Sequence, residues 1–118
     1  MELSALIESQ LSADIRRGFE AEFDTDEQRV AQLEKDLVGL MGEVGEFANI
    51  LKKIRLAATH AKYEGPSLET AAPVLREELA DAFIYLMRLS VILKADLEAD
   101  VVQKMRANEH RYGPLEER

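Results

Sequence analysis

The chain has 118 residues, 47% hydrophobic and 32% charged, enough for one domain with a hydrophobic core and no second domain. Its net charge of −8, from 15 Lys+Arg against 23 Asp+Glu, excludes a general nucleic-acid-binding surface. With no cysteine, a disulfide framework, a thiolate metal site and a cysteine nucleophile are excluded too.

Leu3, Leu6, Ile7, Leu11 and Ile15 recur at helical spacing, which predicts a short amphipathic helix over about 3–17. The opening "MELSALIESQ" lacks the charged start and apolar core of a signal peptide, and no apolar run reaches the ~20 residues a membrane span needs. The expectation is a soluble cytoplasmic protein without membrane partners.

"GFEAEFDTDEQ" interrupts the pattern. Thr25 with Gln28 resembles a capping box, each side chain satisfying a backbone N–H of the other. From there Val30, Leu33, Leu37, Leu40, Met41, Val44, Phe47, Leu51 and Ile54 form one stripe, and a long helix is expected over about 26–57. "THAKYEGPSLETAAP" marks a connection. A third helix follows over about 70–93, with Leu75, Leu79, Phe83, Leu86 and Leu93 on its core face and Pro73 confined to its first turn. "LKAD" makes a tight link in which Asp96 can cap a fourth helix. Leu97, Val101, Val102 and Met105 carry that helix to about Tyr112, where Gly113-Pro114 stop it.

These elements describe a single all-α domain over 1–118: a four-helix bundle-like fold with a short N-terminal helix, two long central helices and a C-terminal helix. The 26–57 helix would extend almost 50 Å at ~1.5 Å per residue. It must kink, break or pack on another chain, so assembly as a homodimer is expected, with an active site that draws on two chains.

Within the long helix, "GLMGEVGEF" places Glu43 and Glu46 among apolar residues, at a spacing that puts both on one face. Gly42 and Gly45 each cost the helix about 1 kcal/mol relative to alanine. Lacking Cβ atoms, they would let a neighbouring helix or a phosphate approach closely. In "REELADAFIYL", Glu78 and Asp81 repeat the geometry; Glu77 is the other candidate, but only Glu78 is three before Asp81. If the two faces meet, four carboxylates converge. Two of them ~5 Å apart repel by roughly 3 kcal/mol at an effective dielectric near 20, so the site should raise some of their pKa values or take up a cation. Oxygen-only ligands suit Mg²⁺ or Mn²⁺ better than zinc. Acidic pairs three apart are also common as plain solvated surface charge.

In "KMRANEHRYG", Lys104, Asn108 and Arg111 form a stripe on the fourth helix, with Tyr112 beside it. This is either a solvated helix end whose cations suit the helix dipole or a polyphosphate clamp opposite the carboxylates. Tyr85, one turn after Asp81, either hydrogen-bonds into the same cavity or is a buried bundle tyrosine. Phe19 and Phe23 are candidate base-stacking groups or core anchors. Lys53 reaches either the cavity or solvent, and His60 and His110 receive no role.

The blocks "GEVGEF", "EELADAFIYLMRL" and "KMRANEHRY" together resemble the MazG-like nucleoside triphosphate pyrophosphohydrolases of the all-α NTP pyrophosphatase superfamily. The similarity covers most of residues 35–113. It implies that Glu43, Glu46, Glu78 and Asp81 are magnesium ligands and that Tyr85, Lys104, Asn108, Arg111 and Tyr112 surround the phosphates and sugar. The implied reaction is Mg²⁺-dependent (or Mn²⁺-dependent) hydrolysis of an NTP or dNTP between the α- and β-phosphates, giving the monophosphate and pyrophosphate in nucleotide-pool housecleaning. Glu46, with Glu43 next, would take the proton of the attacking water. Lys104 and Arg111 would stabilise phosphate charge. The resemblance extends the assembly to a dimer or a dimer of dimers. The stretch between Glu46 and Glu78 is longer than in compact members, as an extra turn, a lid or a subunit contact. Di-iron carboxylate bundles use E-x-x-H pairs, which neither His60 nor His110 completes. The non-enzymatic alternative is an acidic helical interaction or regulatory module, indifferent to metal.

Overall fold

A computed structural model describes residues 2–116, and all the regular structure among them is helical. Helix α1 is Leu3–Arg16, α2 Asp26–Thr59, α3 Leu68–Ile92 and α4 Leu97–Tyr112, followed by a 3₁₀ turn, Gly113–Glu116. The expected four-helix, all-α organisation is present. No helix among the described residues is long and apolar enough to cross a membrane.

Local chemistry sets the ends. Arg17, Gly18 and Phe19 close α1 in a Schellman motif: the Phe19 N–H bonds the Asp14 carbonyl at 2.9 Å and the Gly18 N–H bonds that of Ile15 at 3.1 Å. Gly18 takes the left-handed conformation this requires, φ +85°. Thr25 caps α2 by accepting from the Gln28 N–H, but Gln28 reaches past Thr25 to accept from the Asp24 N–H, so the box is displaced by one residue. Ser67 and Thr70 form a full capping box. It starts α3 two residues earlier than expected and moves Pro73 into the second turn, out of the first. Asp96 caps α4 through the Ala99 N–H at 3.0 Å.

The dominant packing is α2 against α3, antiparallel, with α1 laid along α3. Helix α2 does not break; its 34 residues form one continuous helix, about 51 Å long at 1.5 Å per residue. The extra length between Glu46 and Glu78 goes largely into helix, leaving only 60–67 as connection. There Gly65 folds back so closely that a Cβ would meet the Tyr63 ring and the Lys53 carbonyl.

The core differs from the expected stripes. On α2, Leu33, Leu40, Phe47 and Ile54 turn inward and are half-buried, whereas Val30, Leu37, Met41, Val44 and Leu51 are exposed. The single stripe is thus two interleaved faces. On α3 the buried apolar residues are Ala71, Leu75, Met87 and Ile92, while Leu79, Phe83, Leu86 and Leu93 lie exposed rather than in the core. Helix α4 buries none of its residues. The Cα radius of gyration is 18.6 Å, against about 13.5 Å for a compact chain of this length.

Candidate metal and nucleotide site

The antiparallel register of α2 and α3 builds the site. Asp36 faces Arg88, with a hydrogen bond of 3.0 Å. Three residues further along α2, Gly39 faces Tyr85, three residues back along α3. A further seven residues each way bring Glu46 beside Glu78. Glu43, one turn before Glu46, joins them: Glu43, Glu46 and Glu78 each offer a carboxylate oxygen, all within 4.8 Å of one another.

Three of the four expected carboxylates therefore meet. Asp81 does not join the cluster. It is exposed and stands one turn along α3, where it lines a cleft with Glu43 and Tyr85. Its side chain is one methylene shorter than a glutamate's. The cleft is open to solvent and runs from Glu43 and Asp81 past Tyr85 to Arg88 and Phe19.

Crowding marks Glu78 most. Its contact with Glu43, then burial, then the contact with and charge of Glu46 push it up to about 8. One of its oxygens, Oε2, is buried without a hydrogen-bond partner. A buried, unpartnered carboxylate oxygen among further carboxylates is an acceptor set suited to a hard cation.

The glycines act differently from expectation. Open space faces Gly42 and Gly45, so within the chain neither admits a neighbouring helix. Gly39 does, because a Cβ there would collide with the Tyr85 ring. Tyr85 is half-buried and borders the cleft.

The α4 residues stay apart. Asn108 and Tyr112 line a separate shallow groove at the end of α4, Arg111 stacks on the Tyr112 ring at 5.1 Å, and Lys104 is exposed; none lines the carboxylate cleft of its own chain. Lys53 does not line the cleft either. Phe19 does, half-exposed, with its ring 4.8 Å from the Arg88 guanidinium. Phe23 is half-buried and away from this cleft.

Sequence reasoning missed the other end of the cleft. Arg88 donates to Asp14 at 2.9 Å and to Asp36 at 3.0 and 3.2 Å, joining α1, α2 and α3. Gln10 and Gln32 each donate to the aspartate one turn on in their own helix. Asp14 and Asp36 are only 7% and 3% exposed. Burial disfavours the Arg88 charge, but the bonds and charges of Asp36 and Asp14 outweigh it and raise its pKa. The available signal was two aspartates set in the line of inward positions, Asp14 after Ile7 and Leu11 and Asp36 between Leu33 and Leu40.

No protein-family model, curated protein or solved structure matches this chain.

Proposed function

We propose that the protein is a Mg²⁺-dependent nucleoside triphosphate pyrophosphohydrolase, cleaving an NTP or dNTP between the α- and β-phosphates. The observation that carries the reading is the meeting of Glu43, Glu46 and Glu78 across the α2–α3 interface. The three-block resemblance to MazG-like enzymes supplies the reaction.

Glu43, Glu46 and Glu78 would hold Mg²⁺ or Mn²⁺, with Asp81 close enough along the stripe to be drawn in. Bound there, the ion would neutralise triphosphate charge and make a bound water more acidic. Glu46, the exposed member of the cluster, takes the proton of the attacking water. Tyr85, which packs on Gly39 and borders the cleft, would hydrogen-bond substrate there. Lys104, Asn108, Arg111 and Tyr112 act on the phosphates from α4 of a second copy, because their own α4 does not line the cleft. The functional unit is accordingly a homodimer, or a dimer of dimers, and its role is control of the nucleotide pool.

The test is pyrophosphate release from a panel of canonical and modified NTPs and dNTPs with Mg²⁺, Mn²⁺ or EDTA. Release with matching monophosphate in metal alone, lost in Glu43→Gln while the fold is retained, supports the reading. No release by a folded protein that also binds no metal overturns it in favour of an acidic interaction module.

A further inference from the structure

We infer that the Phe19–Arg88 end of the cleft is a nucleobase subsite that selects cytosine and adenine, which present an exocyclic amino group, over uracil and hypoxanthine, which present a keto oxygen at the same position. This rests on the reading of the cleft as a nucleotide site and names the substrates that fit it.

Length along α2 places the base. Asp36 precedes Glu43 by seven residues of one continuous helix, about 10.5 Å at 1.5 Å per residue. Both line the cleft, and Tyr85 lines it between them. A nucleotide with its phosphates at the Glu43–Glu46–Glu78 cluster has its sugar beside Tyr85 and its base level with Asp36 and Arg88.

The reverse orientation fails on charge. Asp14, Glu20 and Asp36 outnumber Lys35 and Arg88 at this end, and Arg88 is already engaged by both aspartates. A phosphate is repelled there, whereas an uncharged heterocycle is not. Phe19 is half-exposed, with its ring 4.8 Å from the Arg88 guanidinium, and offers a flat apolar surface on which any base can stack.

Because stacking accepts every base, the choice lies with the polar edge. A carboxylate only accepts, so two bonds fix how the glutamine amides are turned: Gln10 Nε2 to Asp14 at 2.8 Å and Gln32 Nε2 to Asp36 at 3.2 Å. Each amide nitrogen faces its aspartate, which leaves each carbonyl oxygen turned away and free to accept. The two glutamines, one on α1 and one on α2, both line the cleft. Behind them Asp36 keeps a further acceptor: it is only 3% exposed, yet its Oδ2 has no hydrogen-bond partner. This wall is rich in acceptors and short of donors, and a ligand that donates meets the shortage. The amino groups of cytosine and adenine donate at the position where a keto oxygen can only accept. That oxygen would face the glutamine oxygens with no proton between them.

The experiment compares nucleotides that differ only there, dCTP with dUTP and dATP with dITP. Binding is read by calorimetry on their α,β-imido analogues, which cannot be cleaved between those phosphates, and kcat/KM is read from pyrophosphate release with Mg²⁺. The amino member of each pair should bind and turn over about tenfold better or more. In a Gln10→Met, Gln32→Met protein, which loses both oxygens at similar size, the ratio within each pair should fall to within about twofold. Loss of fold or of metal could not produce that change, because both members of a pair share it. Phe19→Leu should weaken all four nucleotides and leave the ratios in place. Equal affinity within the pairs, preference for the keto members, ratios that survive the double substitution, or a Phe19→Leu protein that binds as before overturns the inference, and the hydrolase reading stands wherever pyrophosphate is released. Amino-selective binding without pyrophosphate release overturns the proposed activity alone. Binding of none of the four overturns both.

Discussion

The Tyr85 ring fills the place where a side chain on Gly39 would begin, so these two residues set how closely α2 and α3 approach beside the cleft. Gly39→Ala should force the ring aside and cost about 1–3 kcal/mol. In a Tyr85→Ala background the sign should reverse, because the ring that the new methyl would strike is gone and the alanine gains up to about 1 kcal/mol of helix propensity. Urea denaturation of the four proteins of this cycle measures both effects.

Arg88 is the sole link between Asp14 and Asp36 among the described residues. Arg88→Met should leave both carboxylates buried without their counter-charge and cost about 3–5 kcal/mol. Replacing Asp14 and Asp36 by leucine in the same protein should recover most of that loss, because burying an ion set also carries a desolvation penalty. The comparison is of chemical denaturation midpoints at fixed pH.

Glu78 gives the metal-free protein a definite pH response. Its folded value of about 8 lies above the ordinary glutamate value of 4.5, so between these limits the folded state holds a proton that the unfolded state has released. Stability should be fully present below about pH 4.5 in this respect, fall as pH rises through the window, and level off above about 8. Glu78→Gln should remove that slope and raise the melting temperature at pH 8 in EDTA. Melting curves across pH, with and without Mg²⁺, read it directly; a bound cation should oppose the loss.

Lys94 closes α3 in a Schellman motif of its own, with φ +56°, the Ala95 N–H bonded to the Ser90 carbonyl at 2.9 Å and the Lys94 N–H to that of Val91 at 3.0 Å. A non-glycine residue there carries roughly 1–2 kcal/mol of strain. Lys94→Gly should relieve part of it and stabilise by up to about 1 kcal/mol, since glycine adds entropy to the unfolded chain in return. Thermal denaturation at neutral pH checks this.

Much of the helical layout was legible because local signals fix it. Thr25 and Asp96 capped where their side chains suggested, and "LKAD" made the short link. The start of α3 escaped because Pro73 suggests an early boundary, yet Ser67 and Thr70 supply a stronger one upstream. The Glu43–Glu46 half of the carboxylate cluster was legible because an E-x-x-E spacing lies within a single helix; the E-x-x-D spacing pointed to Glu78, which joins, and also to Asp81, which does not. The Asp14–Arg88–Asp36 set was not, since its members are far apart in sequence and meet only through tertiary register. The same limit explains the merged stripes. Leu33, Leu40, Phe47 and Ile54 interleave with Leu37, Met41, Val44 and Leu51 on one helix, and which set faces inward depends on what the helix packs against. It explains the glycines too: three lie within seven residues, and only the position of Tyr85 singles out Gly39.

The hairpin is held on both sides of the three glutamates: by the 60–67 connection toward one end and by Arg88, which grips two aspartates, toward the other. Two fixed points leave the crowded carboxylates little freedom to swing apart. Their repulsion is relieved instead by what they bind, a proton on Glu78 or a cation shared among the three.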